Sequence, residues 1–211
     1  MKRITALRLG RGRGKRVNIF LDGEFAFSLE AEVAAKEGLQ VELELSAEQI
    51  KALNKSDNWQ RCFNAAVRYL SYRPRSEAET RKRLHQRGFD GDNVEAVITR
   101  LKEQGLLDDM AFAQFWKDNR ESFSPRSQWL NKLELRQKGV TNDIIDRALA
   151  ASDDDDSAYR AARSKARGLV CSDYQGFRRQ LGEYLKRRGF SYEVINHALE
   201  RMWQEQESNS K

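Results

Sequence analysis

The sequence predicts a mainly α-helical protein built from three tandem three-helix repeats behind a small N-terminal β-hairpin/α section. Gly88, Gly139 and Gly189 lie 51 and 50 residues apart, each four positions after a leucine (Leu84, Leu135, Leu185). Each also directly follows a cation (Arg87, Lys138, Arg188) and directly precedes an apolar residue (Phe89, Val140, Phe190). Pro74-Arg75-Ser76 returns as Pro125-Arg126-Ser127 at the same spacing of 51. A fixed period of this size marks stacked supersecondary units, each too small to bury its apolar face alone. Composition agrees: 33% charged and 39% apolar residues suit an array with much surface.

The first section reads as β. Ile4 to Leu9, Val17 to Leu21 and Glu24 to Leu29 are strand candidates, and Asp22-Gly23 is a two-residue hairpin signal. The loop Gly10-Arg11-Gly12-Arg13-Gly14-Lys15 is basic, but its spacing falls one short of a P-loop and Arg16 stands where Ser or Thr is needed. A solvated turn is the preferred reading. Glu30 to Glu37 forms a short helix stopped at Gly38, Val41 to Leu45 alternates like a further strand, and Ser46-Ala47-Glu48-Gln49 opens a helix with a capping box.

From about Asp57 onward the pattern resolves into nine helices in three sets. The first helix of set one places Trp59, Phe63, Val67 and Leu70 on one stripe until Pro74. Ser76 caps the second helix, which ends at Gly88, and a third carries Val94, Val97, Ile98 and Leu101 to Gly105. Set two starts at Asp108, carries Phe112, Phe115 and Trp116, continues through Leu130, Leu133 and Leu135, and ends with a Thr141-capped helix bearing Ile144, Ile145, Ala148 and Leu149. Set three is looser. Asp153 to Asp156 open a helix through Tyr159 and Ala162 that ends at Gly168, Ser172 or Asp173 starts the next toward Leu181 and Leu185, and Val194, Ala198 and Leu199 complete it. Divergence here is expected of a terminal cap, with the polar end beyond Gln204 fraying. The expected divisions are residues 1–55, 56–106, 107–151 and 152–205, with a tail at 206–211.

The formal net charge of +6 favours a polyanionic partner. Cys62 and Cys171 are far apart and, with only His85 and His197 beside them, form no zinc set. No apolar run reaches the roughly 20 residues that span a bilayer, so a cytoplasmic protein is expected. The acidic run Asp153–Asp156 is read as a helix start complementing the macrodipole, not as a metal site. Neither histidine lies in a turn resembling a nucleophile elbow, and the expectation is a non-enzyme without cofactor.

The cations before each glycine have a simple explanation at a helix C-terminus. It does not cover Arg81, Lys82 and Arg83, nor Lys132 and Arg136, nor Arg178, Arg179, Lys186 and Arg187, which spread charge along the same middle helix of each repeat. Equivalent helices in a stack present one basic strip. Its expected members, as a filament- or DNA-binding surface, are Arg73, Arg75, Arg83, Arg87, Arg126, Lys132 and Arg136. Most rings read as core, whereas Tyr72 and Trp129 stand near helix ends as candidates for base stacking.

Three segments then resemble the RecX regulators of the RecA recombinase: Tyr69 to Glu79 with Leu84, Gly88 and Phe89; Leu101 to Asp109 with Phe112-Ala113; and Leu133 to Val140. The resemblance covers roughly residues 60 to 205. It implies an elongated, curved array of three three-helix repeats, monomeric, that lodges in the groove of the RecA filament on single-stranded DNA. There it inhibits strand exchange and ATP hydrolysis by blocking filament growth or promoting disassembly. The rival expectation is a recombinase-independent DNA-binding protein with tandem helix-turn-helix-like modules.

Overall fold

The computed structural model describes residues 1–10, 16–168 and 174–209, with side chains as far as residue 205. Residues 11–15 of the basic loop read as a solvated turn, Cys171 and the helix start at Ser172 or Asp173 lie outside the described residues. Two compact units are formed, residues 1–73 with 80–107 and residues 74–79 with 108–211.

In the first unit, β1 (Lys2–Leu9), β2 (Arg16–Leu21), β3 (Glu24–Glu30) and β4 (Glu44–Leu45) make an antiparallel sheet in the order β3-β2-β1-β4. The β2–β3 turn works because Asp22 and Gly23 both adopt positive φ, 51° and 90°, the geometry that matches strand twist. Ile4, Ile19, Leu21 and Leu29 bury one face of the sheet against Val33 of α1 (Ala31–Lys36) and Leu53. The strand expected from Val41 shrinks to two residues, because Glu42 turns to a φ of 74° and interrupts the alternation.

Leu53 belongs to α2 (Ala47–Leu70), a single 24-residue helix where two were expected. No glycine or proline interrupts it, and Ser46 and Gln49 close its start reciprocally at 3.2 and 2.8 Å. Its first half serves the sheet. Its second half buries Cys62 and Ala66 in the first helical set with α3 (Glu77–Gln86) and α4 (Gly91–Glu103), while Val67, expected in the stripe, faces solvent.

The second set, α5 (Asp109–Phe123), α6 (Gln128–Gln137) and α7 (Asn142–Leu149), closes over Phe112, Leu135, Ile145 and Leu149. The third, α8 (Asp154–Ala166), α9 (Tyr174–Arg187) and α10 (Tyr192–Asn209), closes over Ala158, Ala162, Phe177, Leu181, Leu185 and Leu199. Asp90, Asp108, Ser127 and Asp153 each accept backbone N–H bonds at a helix start. Thr141 stands at the start of α7 without a side-chain cap bond. The polar end continues as helix to Asn209.

Inside the second unit the repeated motifs meet one another. The Ser127 amide donates to the Arg188 carbonyl at 3.0 Å, and the Arg188 guanidinium donates to the Ser124 hydroxyl and the Pro125 carbonyl, both at 2.8 Å. The Ser76 hydroxyl makes the matching bond to the Lys138 carbonyl at 2.6 Å, with Lys138 paired to Glu79 at 2.9 Å. Carboxylates complete each junction, Asp109 accepting from the Glu77 amide and Asp154 from the Gln128 amide. Burial pushes the Asp154 carboxyl above the ordinary carboxylate range. In the first unit the buried Asp57 accepts from the Glu30 amide at 2.6 Å in the same manner.

The three glycines share φ values of 83°, 79° and 83°, but they differ in surroundings. A Cβ on Gly189 would lie 2.6 Å from the Ser127 hydroxyl, and one on Gly139 would overlap the Ala78 Cβ, whereas one on Gly88 meets nothing. Gly88→Ala is therefore expected to cost only the left-handed penalty of about 1 kcal/mol. Gly139→Ala and Gly189→Ala add an overpacking cost of about 1–3 kcal/mol, and urea titration of the three variants checks the order.

Candidate nucleic-acid interface

The strip residues divide between the units. In the first, Arg83 lies on α3 with its guanidinium 5.9 Å above the Tyr69 ring, and Arg87 is exposed at the end of the same helix. Arg87 joins Arg61 and Arg68 of α2 around a cleft of about 480 Å³, with Glu30 and Phe89 on its walls. Glu30 already holds Arg16 at 2.9 Å, so the cleft is positive. Arg73, half-buried, also belongs to this unit.

In the second unit, Lys132 and Arg136 stand one turn apart on α6, with Arg75 half-buried at the junction segment. Arg136 donates to the neutral Asn142 at 2.8 Å, while Lys132 pairs with Asp146 at 2.7 Å. That pairing, helped by Arg136, holds the Asp146 carboxyl below its usual range. Arg126 does not stand with them. Its guanidinium bonds Glu134, which is 12% exposed and also receives Arg120 at 2.8 Å and the Trp116 indole N–H at 2.9 Å. Burial, then the nearby Arg120 and Arg188, depress the Arg126 pKa. It therefore belongs to an ion cluster centred on Glu134, a pairing that a count of charges along the sequence does not reveal.

A second pattern is visible only once the repeats are superposed by residue number. In the first set Arg81 of α3 bonds Glu95 of α4 at 2.6 Å, and in the second Lys132 of α6 bonds Asp146 of α7. Both pairs span fourteen residues, and both tie the middle helix of a set to its third. Carrying the repeat forward leads to Gly182 and Asn196, where no charge pair forms. The signal was present in the 51- and 50-residue offsets.

Of the stacking candidates, Tyr72 is 72% and Trp129 64% exposed. Trp59 and Phe63 instead stack on each other at 5.3 Å against the first core. Cys62 is buried, its thiol pushed up to about 11 chiefly by burial. Among the described residues no group of His, Cys, Asp and Glu is placed to hold a metal ion, and no helix is long and apolar enough to cross a membrane.

Glu134→Ala is expected to destabilise the protein by about 2–4 kcal/mol, since it leaves Arg120 and Arg126 confined together without their counter-charge. Lys132→Ala, at an exposed pair, is expected to cost less than about 1 kcal/mol. Thermal melts of both variants at matched ionic strength test the division between structural and surface cations.

Comparison with known proteins follows the same architecture. Residues 2–46 match the regulatory protein RecX N-terminal domain, residues 62–101 the first RecX three-helix domain and residues 153–199 the third. The regulatory protein RecX of Clostridium botulinum (strain Eklund 17B / Type B) is 31% identical over 94% of this chain and 95% of its own length. That of Halalkalibacterium halodurans is 32% identical over 93% of this chain and 76% of its own. A crystal structure of regulatory protein RecX superposes with a TM-score of 0.69 at 26% identity, covering 93% of this chain and 98% of the other. A RecX structure from Lactobacillus salivarius, 24% identical, shares the fold at a TM-score of 0.59 over 69% of this chain and 97% of its own. With its N-terminal section and its first and third three-helix sets matched by family models, and relatives 31–32% identical over nearly its whole length, the chain belongs to the RecX family of regulatory proteins.

Proposed function

We propose that this chain binds the RecA filament on single-stranded DNA within its groove and inhibits its recombinase and ATPase activity, by blocking filament growth or promoting disassembly. The observation that carries the reading is the family match over nearly the whole chain, RecA modulation being the role of that family. Its physical basis is repetition. Each middle helix offers cations, Arg83 on α3 with Arg87 just after its end, Lys132 and Arg136 on α6, and Arg178, Arg179 and Lys186 on α9, with Arg73 and Arg75 beside the first junction. A filament repeats its own acidic and phosphate groups, and several weak contacts joined in one chain act at high effective concentration. An assembled filament is then bound far better than a free subunit. On this reading the protein acts as a cytoplasmic monomer in DNA repair and recombination.

Single-strand-dependent ATP hydrolysis by a bacterial RecA, followed as the protein is titrated in, tests the proposal. Inhibition is expected at substoichiometric ratios, well before bare strand is covered. Inhibition only when naked DNA is saturated points instead to recombinase-independent DNA binding by helix-turn-helix-like modules. Joint charge reversal at Arg83, Arg87, Lys132 and Arg136 is expected to weaken inhibition by tenfold or more, since each exposed contact contributes roughly 0.5 kcal/mol. A folded mutant inhibiting like the wild type would remove the strip from the account.

A further inference from the structure

One of the departures of the third helical set from the other two opens a cleft. In the first and second sets an ion pair crosses from the middle helix to the third helix, Arg81 to Glu95 and Lys132 to Asp146. In the third set the positions are Gly182 and Asn196. A Cβ on Gly182 would find only the Leu199 methyl, at 3.9 Å, so the space is not filled from elsewhere. Between α9 and α10 there is accordingly a cleft of about 700 Å³ that includes both residues in its walls.

We infer that this cleft is a binding site for single-stranded polynucleotide, taking phosphate on Arg178, Arg179 and Lys186 and a base against Tyr192. The inference deepens the proposed function, on which its filament setting rests, by naming where this chain meets DNA. All four residues line the cleft, with Glu183 the acid among its lining residues. Arg178 reaches across it to the Asn196 side-chain oxygen at 3.1 Å and the Tyr192 hydroxyl at 3.3 Å. Both partners are neutral. The guanidinium is therefore held in place while its full charge stays available to an anion, whereas an ionic crossbar would offset part of it. Tyr192 is 73% exposed, and a ring beside cations in one groove is the arrangement that binds single strands with little regard to sequence.

The floor decides against an apolar helix as the occupant. Phe190, Ile195 and Leu199 lie under the cleft but are already buried, at 5%, 7% and 1% exposure. From those three side chains a hydrophobic anchor would gain little further apolar area, and the gain from burial scales with that area. What the cleft offers in quantity is positive charge and one open ring.

The test restores the missing crossbar. G182K/N196D reproduces the pair of the second set, closes the cleft and leaves the net charge unchanged. Replacing a glycine within a helix also favours folding. Fluorescence anisotropy with a labelled oligothymidine at low salt is expected to show binding weakened about tenfold, the scale of losing one stacked base with its phosphates. R179E/K186E, which alters two exposed side chains, should weaken binding and flatten its salt dependence. Wild-type binding by both variants, with melting temperatures at or above wild type, overturns the inference. So does inhibition of the recombinase ATPase that is lost while oligothymidine binding persists, because the cleft then serves a protein. A wild-type chain that binds the oligonucleotide through this cleft but never inhibits the ATPase sinks the proposed function and leaves the cleft standing.

Discussion

The close approach of a helix start to a glycine turn governs how the second unit is built. The segment before α6 lies against the end of α9, and the only side chain small enough at position 189 is none at all, since a Cβ there would sit 2.6 Å from the Ser127 hydroxyl. Backbone hydrogen bonding sets the distance: the Ser127 amide reaches the Arg188 carbonyl at 3.0 Å. A carbonyl at a helix end is one of the groups left without an intrahelical partner, so the junction satisfies an acceptor that would otherwise need water. Each set has its own apolar cluster. Polar contacts of fixed geometry join them, and these specify register more narrowly than apolar contact does.

This arrangement changes the meaning of the charged residues. Lys138 and Arg188 occupy the position before the glycine, where a helix-dipole effect of about 0.3–1 kcal/mol accounts for a cation. In the structure they also grip the preceding segment, Lys138 through Glu79 and Arg188 through Ser124 and Pro125. Arg126 likewise belongs to the Glu134 cluster. Lys138, Arg188 and Arg126 are thus engaged within the fold, whereas Arg83, Arg136, Arg178, Arg179 and Lys186 stand on the middle helices.

Much of this was legible beforehand because the sequence states it three times. Helix ends marked by Gly88, Gly139 and Gly189, the hairpin at Asp22-Gly23 and the caps at Ser46 and Ser76 all rest on local backbone rules, and local rules survive folding unchanged. The joining of two expected helices into α2 was harder to foresee, since a charge-rich stretch from Lys51 to Asp57 has no apolar stripe to announce a helix, yet has no breaker either. The two-residue β4 depends on Glu42 taking a positive φ, which no pattern of alternation reveals. The partners of Arg126 are hidden from the sequence for a different reason. Whether a cation faces solvent depends on Glu134 and Arg120, eight and six residues away on α6 and α5, and such pairing is a property of packing and not of the strip of residues around it.

An array in which every set keeps its own core can alter one set without disturbing the rest. The ionic crossbars show what such freedom permits. An exposed ion pair adds at most about 1 kcal/mol, so its loss at Gly182 and Asn196 is tolerable, particularly where Phe177, Leu181, Leu185 and Leu199 remain buried beneath it. What the loss changes is the electrostatic state of the surface. Lys132 faces a carboxylate that offsets part of its charge, whereas Arg178 is oriented by an amide and a phenol that do not. The first two sets thus present helices held together by paired charge, and the third presents held but uncompensated charge beside an open space, a difference in chemistry produced within one repeated scaffold.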